Sequence, residues 1–318
     1  MSRKTAYVIG LDGGGTKTKA QLADLNGTVA AETQGGPSNF QIIGVEESAK
    51  NILDLIETCC HTVGCNISEI GSLVAGLAGA GRTADQHVIE AGLHDAAQKR
   101  GIYLNDLKIE SDARIALEGA FLGKKGIVLI CGTGSIAFAR TDKGRIIRAG
   151  GWGRLVGDEG SGHDIGREAL RSVARMIDGR GKTTRIAGQL ASRFGLKSQE
   201  EIIRAVYRDN FDVSSVAPLV LNAARQGDPV AREILETAAH DLVELVQAVL
   251  NGMKKTQRFS RQKIPVALSG GLLGSKNAYS TKVRNLLRRF LPNTSVQEPI
   301  AQPVRGAVLM AMARAKGG

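Results

Sequence analysis

The feature that most restricts the fold of this chain is a five-part unit of strands and turns that occurs twice. The first unit begins with the strand TAYVIGL (5–11), continues through a glycine-rich turn into an alternating strand, and ends with an Asn-Gly turn and a third strand. The second unit, GIVLICGTGSIAFARTDKGRIIRAGG (126–151), repeats an apolar strand, a Gly-Thr turn, an alternating strand, a Lys-Gly turn and a last strand.

The spacing inside the two units is the same. Thr16 precedes Gly27 by eleven residues, and Thr133 precedes Gly144 by eleven. The matching positions of the two units lie about 117 residues apart. A repeat of this length is typical of a duplicated domain.

Strand and helix patterns alternate outside the two units. Helical periodicity covers 46–63 and dominates 163–252, while apolar strands end in polar or glycine turns at 72–82, 107–114 and 264–275. This alternation predicts an α/β fold with largely parallel pairing in each half. We expect an N-terminal domain of residues 1–118 plus 303–318 and a C-terminal domain of residues 119–302.

Composition places the chain among ordinary globular proteins, with 318 residues, 42% hydrophobic and 23% charged. Its longest apolar stretch (126–139) is interrupted by glycines and too short to span a bilayer, and residues 1–10 lack the apolar core of a signal peptide. The four cysteines form no disulfide framework. A soluble, cytoplasmic protein without a membrane partner is therefore expected.

Charge is distributed unevenly along the chain, whose formal net charge is +11. Residues 245–297 contain no Asp or Glu, yet ten Lys or Arg lie between Lys254 and Arg289. Nucleic-acid binding is not favoured, because neither interleaved aromatic residues nor a helix-turn-helix or zinc signature accompanies these charges. A solvated basic face that attracts anionic metabolites explains the segment better.

The stretch GLDGGGTKTK (10–19) nearly matches a phosphate-binding P-loop. Gly10 and Gly15 have the required spacing, but Thr16 separates the second glycine from Lys17. A P-loop also leads into a helix, whereas an alternating strand follows here. The P-loop interpretation is therefore rejected.

Six stretches, taken in order, resemble a known family. They are DGGGTKT (12–18), PSNFQIIG (37–44), SDA (111–113), CGTGS (131–135), GGWGRLVGDEGSG (150–162) and SGGLLGS (269–275). Together they resemble the actin-like ATPase superfamily, and within it the N-acetylglucosamine kinases related to the BadF/BadG/BcrA/BcrD ATPases. The resemblance covers essentially the whole chain. It implies a duplicated actin-like, ribonuclease H-like fold with two domains around a central nucleotide cleft.

The resemblance implies an ATP site made of glycine-rich turns, whose backbone N–H groups can approach phosphate oxygens closely. The implied nucleotide ligands are Gly13, Gly14, Gly15, Thr16 and Lys17 in the first turn, Gly132, Thr133 and Gly134 in the second, and Gly270 and Gly271 at the adenosine. For each turn alone, a tight connection between strands is the simpler alternative.

Two aspartates carry the implied chemistry. Asp12 ends the first strand, where a carboxylate would hold hydrated Mg²⁺ near the phosphates, although an Asp before glycines is often only a turn residue. Asp112 ends a later strand, and the general base of the resembling kinases falls at this position. The alternative role of Asp112 is to cap the helix that follows.

By the same resemblance, five residues are expected to bind an amino sugar: Asn39, Ser135, Gly151, Trp152 and Asp158. Alternatively, Trp152 belongs to the core and Asp158 caps a helix that begins near Ser161. The sequence departs from the family at Ile136, His163 and Asp164, beside the presumed pocket. N-acetylglucosamine, glucosamine and N-acetylmuramic acid therefore all remain possible substrates.

The predicted activity is transfer of the γ-phosphoryl group of MgATP to the 6-hydroxyl of an amino sugar, by a protein that we expect to be a homodimer. One alternative is an activator-type ATPase with an iron–sulfur cluster, but the second domain offers only Cys131 as a ligand. Another is a sugar-sensing repressor, but only about four residues precede the first strand, too few for a DNA-binding helix-turn-helix.

Overall fold

A computed structural model describes residues 6–255 and 262–317. The chain divides into two compact units. Residues up to Lys124 and those from Pro299 onward form unit 1, and Lys125–Glu298 form unit 2. Within the described ranges, no helix is both long and apolar enough to cross a membrane.

Each unit contains one five-stranded sheet. The strands of unit 1 are β1 (Tyr7–Gly13), β2 (Thr18–Asp24), β3 (Val29–Gly35), β4 (Ile70–Leu77) and β5 (Leu107–Ser111). Those of unit 2 are β6 (Gly126–Cys131), β7 (Ser135–Arg140), β8 (Ile146–Gly150), β9 (Ile264–Ser269) and β10 (Thr294–Gln297).

The two sheets have the same topology. The strand order is β3-β2-β1-β4-β5 in unit 1 and β8-β7-β6-β9-β10 in unit 2. In both, the first three strands form an antiparallel meander, the fourth strand pairs in parallel with the first, and the fifth pairs in parallel with the fourth. The predicted α/β fold and the predicted duplication are confirmed.

The second turn of each meander is also repeated. The backbone N–H of Asp24 donates to the carbonyl of Thr28 at 3.0 Å, and that of Thr141 donates to the carbonyl of Arg145 at the same distance. Each turn contains a glycine with positive φ, 90° at Gly27 and 77° in the second turn. Glycine adopts this backbone conformation without a Cβ penalty, which is why both turns tolerate the tight reversal.

Eleven α-helices in the part of the chain that the structure describes connect and cover the strands. They are α1 (Phe40–Ile43), α2 (Val45–Val63), α3 (Thr83–Lys99), α4 (Asp112–Phe121), α5 (Gly162–Ile177), α6 (Arg185–Phe194), α7 (Gln199–Tyr207), α8 (Ala217–Arg225), α9 (Pro229–Lys254), α10 (Ala278–Phe290) and α11 (Pro303–Gly317). The C-terminal helix α11 belongs to unit 1, where it packs on α4 and β1.

Alternate residues of β1 supply the two faces of the unit 1 core. Ile9 and Leu11 pack with α2 and α3, while Val8 packs with α4 and α11 on the other face. Helix α11 lies so close to the strand that a Cβ on Gly10 would stand 2.4 Å from the backbone nitrogen of Val308. In unit 2 the core lies between the sheet and helices α5, α8, α9 and α10.

The cysteines of α2 belong to the core of unit 1. Cys59 and Cys60 are buried on the helix face toward the sheet. Among the residues that the structure describes, no group of three or more His, Cys, Asp or Glu is placed to hold a metal ion.

Candidate active-site residues

In unit 1 the first glycine-rich turn forms hydrogen bonds with two other loops. The turn between β1 and β2 contains four residues (14–17) and is closed by the Gly14 N–H, which donates to the Lys17 carbonyl at 2.9 Å. The Gly14 carbonyl in turn accepts from the N–H groups of Ser38 and Asn39 at 3.0 and 3.2 Å. The Ala78 N–H donates to the Gly13 carbonyl at 2.8 Å. Three loops therefore meet at the carboxyl ends of β1 and β4.

Asn39 is held beside this turn as the N-cap of α1. Its side-chain oxygen accepts from the Gln41 N–H at 3.2 Å, and the Gln41 side chain donates to the Gly79 carbonyl at 2.9 Å. The preceding Ser38 is buried, and its hydroxyl accepts from the Thr18 hydroxyl at 2.8 Å. Ser38 was not among the predicted site residues, although it lies in the stretch 37–44 that carries the resemblance.

The glycines of this turn differ in what the protein requires of them. A Cβ on Gly13 would stand 2.0 Å from the Ser38 hydroxyl oxygen, so packing within the protein excludes any side chain there. At Gly14 and Gly15 the nearest atoms would be 3.4 and 3.6 Å away. Neither has a positive φ. Packing does not explain these two glycines, and they leave open the space that a ligand would fill.

The two predicted carboxylates lie near each other at the strand ends. Asp12 is half-buried in β1, and Asp112 is the first residue of α4, directly after β5. The N-cap of α4 is Ser111, whose hydroxyl accepts from the Arg114 N–H at 3.2 Å. The alternative role of Asp112 as the N-cap is therefore wrong, and its side chain is exposed to solvent.

Both carboxyl groups hold their protons more tightly than usual. Burial and the negative charge of Asp112 raise the pKa of Asp12 to about 6, although Lys19 and Lys17 oppose the shift. The Asp112 carboxyl is reached by solvent but loses part of its hydration to the surrounding protein, which raises its pKa as well. A hydrated divalent cation fits this arrangement, because it would neutralise the repulsion, and Mg²⁺ needs only one or two carboxylates besides water and phosphate.

In unit 2 the corresponding turn has three residues (132–134). The Gly132 N–H donates to the Gly134 carbonyl at 2.9 Å. The first two amides of α5 close on this turn, since the Gly162 N–H donates to the Gly132 carbonyl at 2.8 Å and the His163 N–H to the Thr133 carbonyl at 3.1 Å. The second turn is therefore fixed by a helix N-terminus as well as by its own strands.

The Gly-Gly pair after β9 lies beside this second turn. Gly270 has a φ of 88°, and a Cβ there would stand 2.4 Å from the Cys131 carbonyl, so the protein itself requires this glycine. Gly132 and Gly271 are different. A Cβ on Gly132 would have its nearest contact at 3.7 Å, to the Gly271 backbone nitrogen, and a Cβ on Gly271 would meet nothing within 4 Å.

Three of the predicted sugar contacts come together at the start of β7. The Ser135 hydroxyl donates to the Glu159 carbonyl at 2.7 Å, its N–H donates to an Asp158 carboxylate oxygen at 3.4 Å, and its carbonyl accepts from the Gly151 N–H at 3.0 Å. Asp158 has a φ of 61°, an uncommon backbone conformation for a residue other than glycine.

The structure also decides the two alternatives for the loop 150–162. The Trp152 side chain is 68% exposed, so the expectation that it belongs to the core is wrong. The cap of α5 is Ser161, whose hydroxyl accepts from the Asp164 N–H at 3.2 Å, so Asp158 does not cap that helix.

Residues beyond the predicted set hold this loop in place. The Gly160 N–H donates to the Asp164 carboxylate at 2.9 Å, and the Gly160 carbonyl accepts from the buried Tyr279 hydroxyl at 2.6 Å and from the Cys131 thiol at 3.4 Å. Burial raises the pKa of Cys131 to about 12, which keeps it a neutral thiol. No sequence pattern indicated Tyr279, which lies 119 residues away from Gly160.

Comparison with known proteins agrees with the resemblance. The sequence profile of the BadF/BadG/BcrA/BcrD ATPase family matches residues 9–311. The chain is 34% identical over 308 residues to the N-acetylmuramic acid/N-acetylglucosamine kinase of Clostridium acetobutylicum, covering 96% of this chain and 98% of the relative. It is 30% identical to the N-acetyl-D-glucosamine kinase of Dictyostelium discoideum, covering 96% and 97%.

Among solved structures, a candidate N-acetylglucosamine kinase from Chromobacterium violaceum superposes with a TM-score of 0.73. It is 27% identical, and the match covers 96% of this chain and 99% of the other. The fold expected from the sequence, a two-domain sugar-kinase fold of the actin-like type, is thereby confirmed.

Proposed function

Because the chain belongs to the BadF/BadG/BcrA/BcrD ATPase family, we propose that it is an ATP-dependent kinase of amino sugars. It transfers the γ-phosphoryl group of MgATP to the 6-hydroxyl of N-acetylglucosamine or glucosamine. The observation that carries this proposal is the open space at Gly15 and Gly132, where a Cβ would find no close protein atom.

The two turns bind the phosphates of ATP through backbone N–H groups. The first turn contributes Gly13, Gly14, Gly15 and Thr16, with Lys17 adding a positive charge, and the second contributes Gly132, Thr133 and Gly134. The N–H groups of Gly14 and Gly132 close their own turns, so the other amides face the phosphates. Bare backbone can approach an anion closely where glycine replaces a side chain. Gly270 and Gly271 lie at the adenosine, next to the second turn: Gly270 permits the close approach to Cys131, and Gly271 leaves the space that the adenosine would fill.

Asp12 holds Mg²⁺, which supplies positive charge to the phosphates, and Asp112 is the general base. As the sugar oxygen forms its bond to the γ-phosphorus, the Asp112 carboxylate takes the hydroxyl proton, and the bond to the β-phosphate oxygen breaks to release ADP. The solvent-exposed carboxyl of Asp112 and its fixed place on the first turn of α4 support this role.

Asn39, Ser135, Gly151, Trp152 and Asp158 bind the sugar. The contacts that join Ser135, Gly151 and Asp158 support the unit 2 part of this assignment. Trp152 offers an exposed ring, and stacking against an apolar sugar face would remove it from water.

A coupled assay of ADP release tests the proposal. Glucosamine, N-acetylglucosamine, N-acetylmuramic acid and glucose are compared at equal concentrations with MgATP. We expect ADP release that depends on an amino sugar and is much slower with glucose. ADP release that does not change on adding any sugar would contradict the proposal. N-acetylmuramic acid is included because the Clostridium relative carries that name.

A further inference from the structure

Unit 2 contains a cavity of about 650 Å³ that the proposed reaction does not use. It lies between α5 and α9, and the segment Gly179–Lys182 also lines it. Its volume is in the range typical of small-molecule sites. The glycine turns at 132–134 and 270–271 do not line it.

One end of the cavity is cationic. Arg175 at the end of α5 and Arg180 and Lys182 in the following segment all line it. The Arg175 guanidinium donates to the Arg180 carbonyl at 3.3 Å, and Arg180 pairs with Asp178 at 2.6 Å. Arg175 and Lys182 make no ion pair with any described residue, so this end has uncompensated positive charge.

Acidic side chains also line the cavity. Glu168 on α5 and Glu233 on α9 both contribute to the wall. Glu168 has arginine neighbours on its own helix at 3.5 and 3.7 Å, whereas Glu233 makes no ion pair among the residues described. Glu168 and Arg175 are seven residues apart, or ~10 Å along one helix face. The cavity therefore presents separated negative and positive charges.

We propose that this cavity binds a phosphorylated amino sugar with a free amine, its phosphate at Arg175 and Lys182 and its ammonium at Glu233. The proposal rests on the proposed function, because the same chemical class is the product of phosphorylating glucosamine. A simple anion would leave the acidic wall unused, and a simple amine would leave the cationic end unused. A zwitterion with a phosphate at one end satisfies both.

The cavity is also lined by residues that hold the loop 150–162, which contains three of the proposed sugar ligands. Asp164 lines the cavity wall, and its carboxylate accepts from the Gly160 N–H at 2.9 Å. Ala238 lines the opposite wall, and a Cβ on Gly160 would stand 2.4 Å from the Ala238 carbonyl. A ligand in the cavity therefore contacts the same two helices that fix Gly160.

Calorimetry with defined ligands tests the proposal. Glucosamine 6-phosphate, N-acetylglucosamine 6-phosphate and inorganic phosphate are titrated into the full chain, with and without saturating glucosamine to occupy the reaction site. We expect glucosamine 6-phosphate to bind ~10-fold more tightly than its N-acetyl analogue, which lacks the ammonium group. Binding should persist with glucosamine present.

Three variants assign the contacts. Lys182→Ala should weaken both sugar phosphates by ~10-fold or more, whereas Glu233→Gln should weaken only glucosamine 6-phosphate, to the affinity of the N-acetyl analogue. Arg193→Ala removes an equally exposed cation from α6, outside the cavity, and should leave both affinities unchanged.

Two results would overturn the proposal. Wild-type affinities in both Lys182→Ala and Glu233→Gln would do so, and so would an equal loss for the two sugar phosphates in Glu233→Gln. ADP release on glucosamine and on N-acetylglucosamine is measured with the same samples, so the kinase activity is judged separately. A protein that is inactive on both sugars but shows the expected calorimetric pattern would reject the proposed function and retain the site.

Discussion

Units 1 and 2 have one strand order and two different sets of residues at their strand ends. Thr18 and Ser135, which begin β2 and β7, are 117 residues apart, as are Gly27 and Gly144 in the later turns. The first turn breaks this correspondence, with four residues in unit 1 and three in unit 2. From β2 to the glycine of the second turn the two meanders therefore keep the same spacing. Their strand pairing differs, because β2 and β3 pair with a register shift between Leu22 and Ala23, whereas β7 and β8 pair in a regular register.

The strand ends differ in chemistry as well. In unit 1, β1 ends at Asp12-Gly13, and β5 is followed by Asp112. In unit 2, β6 ends at the buried Cys131 and β9 is followed by two glycines. The duplicated backbone thus provides two glycine-rich turns. Unit 1 places carboxylates directly at the ends of its strands, whereas the Asp158 carboxylate of unit 2 reaches the second turn from the loop 150–162. We infer that unit 1 supplies the acid–base and metal chemistry and unit 2 supplies recognition.

The largest effect should come from removing the base in unit 1. Asp112→Asn keeps the size and the hydrogen bond to the Ala113 N–H but cannot take a proton, so kcat should fall by ~10²- to 10⁴-fold. The variant should still bind ATP, as measured by calorimetry. Asp95→Asn, an exposed acid on α3, serves as the matched control and should retain full activity. A kcat near wild type in Asp112→Asn would remove Asp112 from the mechanism.

The next largest effect, on the KM for ATP, should be equal for the turns of the two units. Gly15→Ala and Gly132→Ala add a methyl group where the nearest protein atoms are 3.6 and 3.7 Å away, so neither should lower the melting temperature appreciably. Both should raise the KM for ATP by ~10- to 100-fold, because the methyl group would occupy the space of a phosphate. If only one variant affects the KM for ATP, the two turns do not share the nucleotide.

A contrasting result is expected at Gly270. Here a Cβ would stand 2.4 Å from the Cys131 carbonyl, and the φ is 88°. Gly270→Ala should therefore reduce the free energy of unfolding by about 2 kcal/mol through overpacking and backbone strain. Urea denaturation measures the loss, with Gly271→Ala as the control, since a Cβ on Gly271 meets nothing within 4 Å. Equal stability of the two variants would contradict the geometry.

The smallest effect is expected at Asp241, an acid of unit 2 whose pKa is raised, as are the pKa values of Asp12 and Asp112 in unit 1. Burial and the charges of Asp164, Glu244 and Glu159 raise the pKa of Asp241 to about 6. The folded protein then binds this proton more tightly than the unfolded chain does, so ionisation of Asp241 lowers stability as pH rises from about 4 to 6. Because the group is partly exposed, the cost at pH 7 is about 1 kcal/mol.

Asp241→Asn should accordingly raise the melting temperature at pH 7 and leave it unchanged below about pH 4, with kcat retained. Thermal unfolding from pH 4 to 8 follows the difference. A gain that is the same at every pH would point to packing rather than to charge, and a loss of kcat would place Asp241 in the reaction.

Local patterns in the sequence predicted the parts of the fold that depend on local chemistry. The meander strands followed from alternation and from glycine turns, and the long helix α9 begins where its cap is, with the Asp228 carboxylate accepting from the Ala231 N–H at 2.9 Å. The family was predicted from six short stretches and is confirmed by the profile match. The strand β10 was missed, because TSVQ is short and only its pairing with β9 defines it.

The roles that depend on distant contacts could not be predicted. Ser38 is fixed by a hydrogen bond to Thr18, and Gly160 by one to Tyr279, across 20 and 119 residues. Whether a glycine serves packing or a ligand also depends on neighbours far away in the chain. Sequence alone could not distinguish Gly13 from Gly15, although the structure separates them clearly.

Hydrogen–deuterium exchange with a non-hydrolysable ATP analogue and Mg²⁺ tests most directly whether both turns bind the nucleotide. We expect slower exchange in peptides covering residues 12–18 and in peptides covering 131–135, with a smaller change in peptides on α3. Protection in only one of the two turns, or in neither, would contradict it.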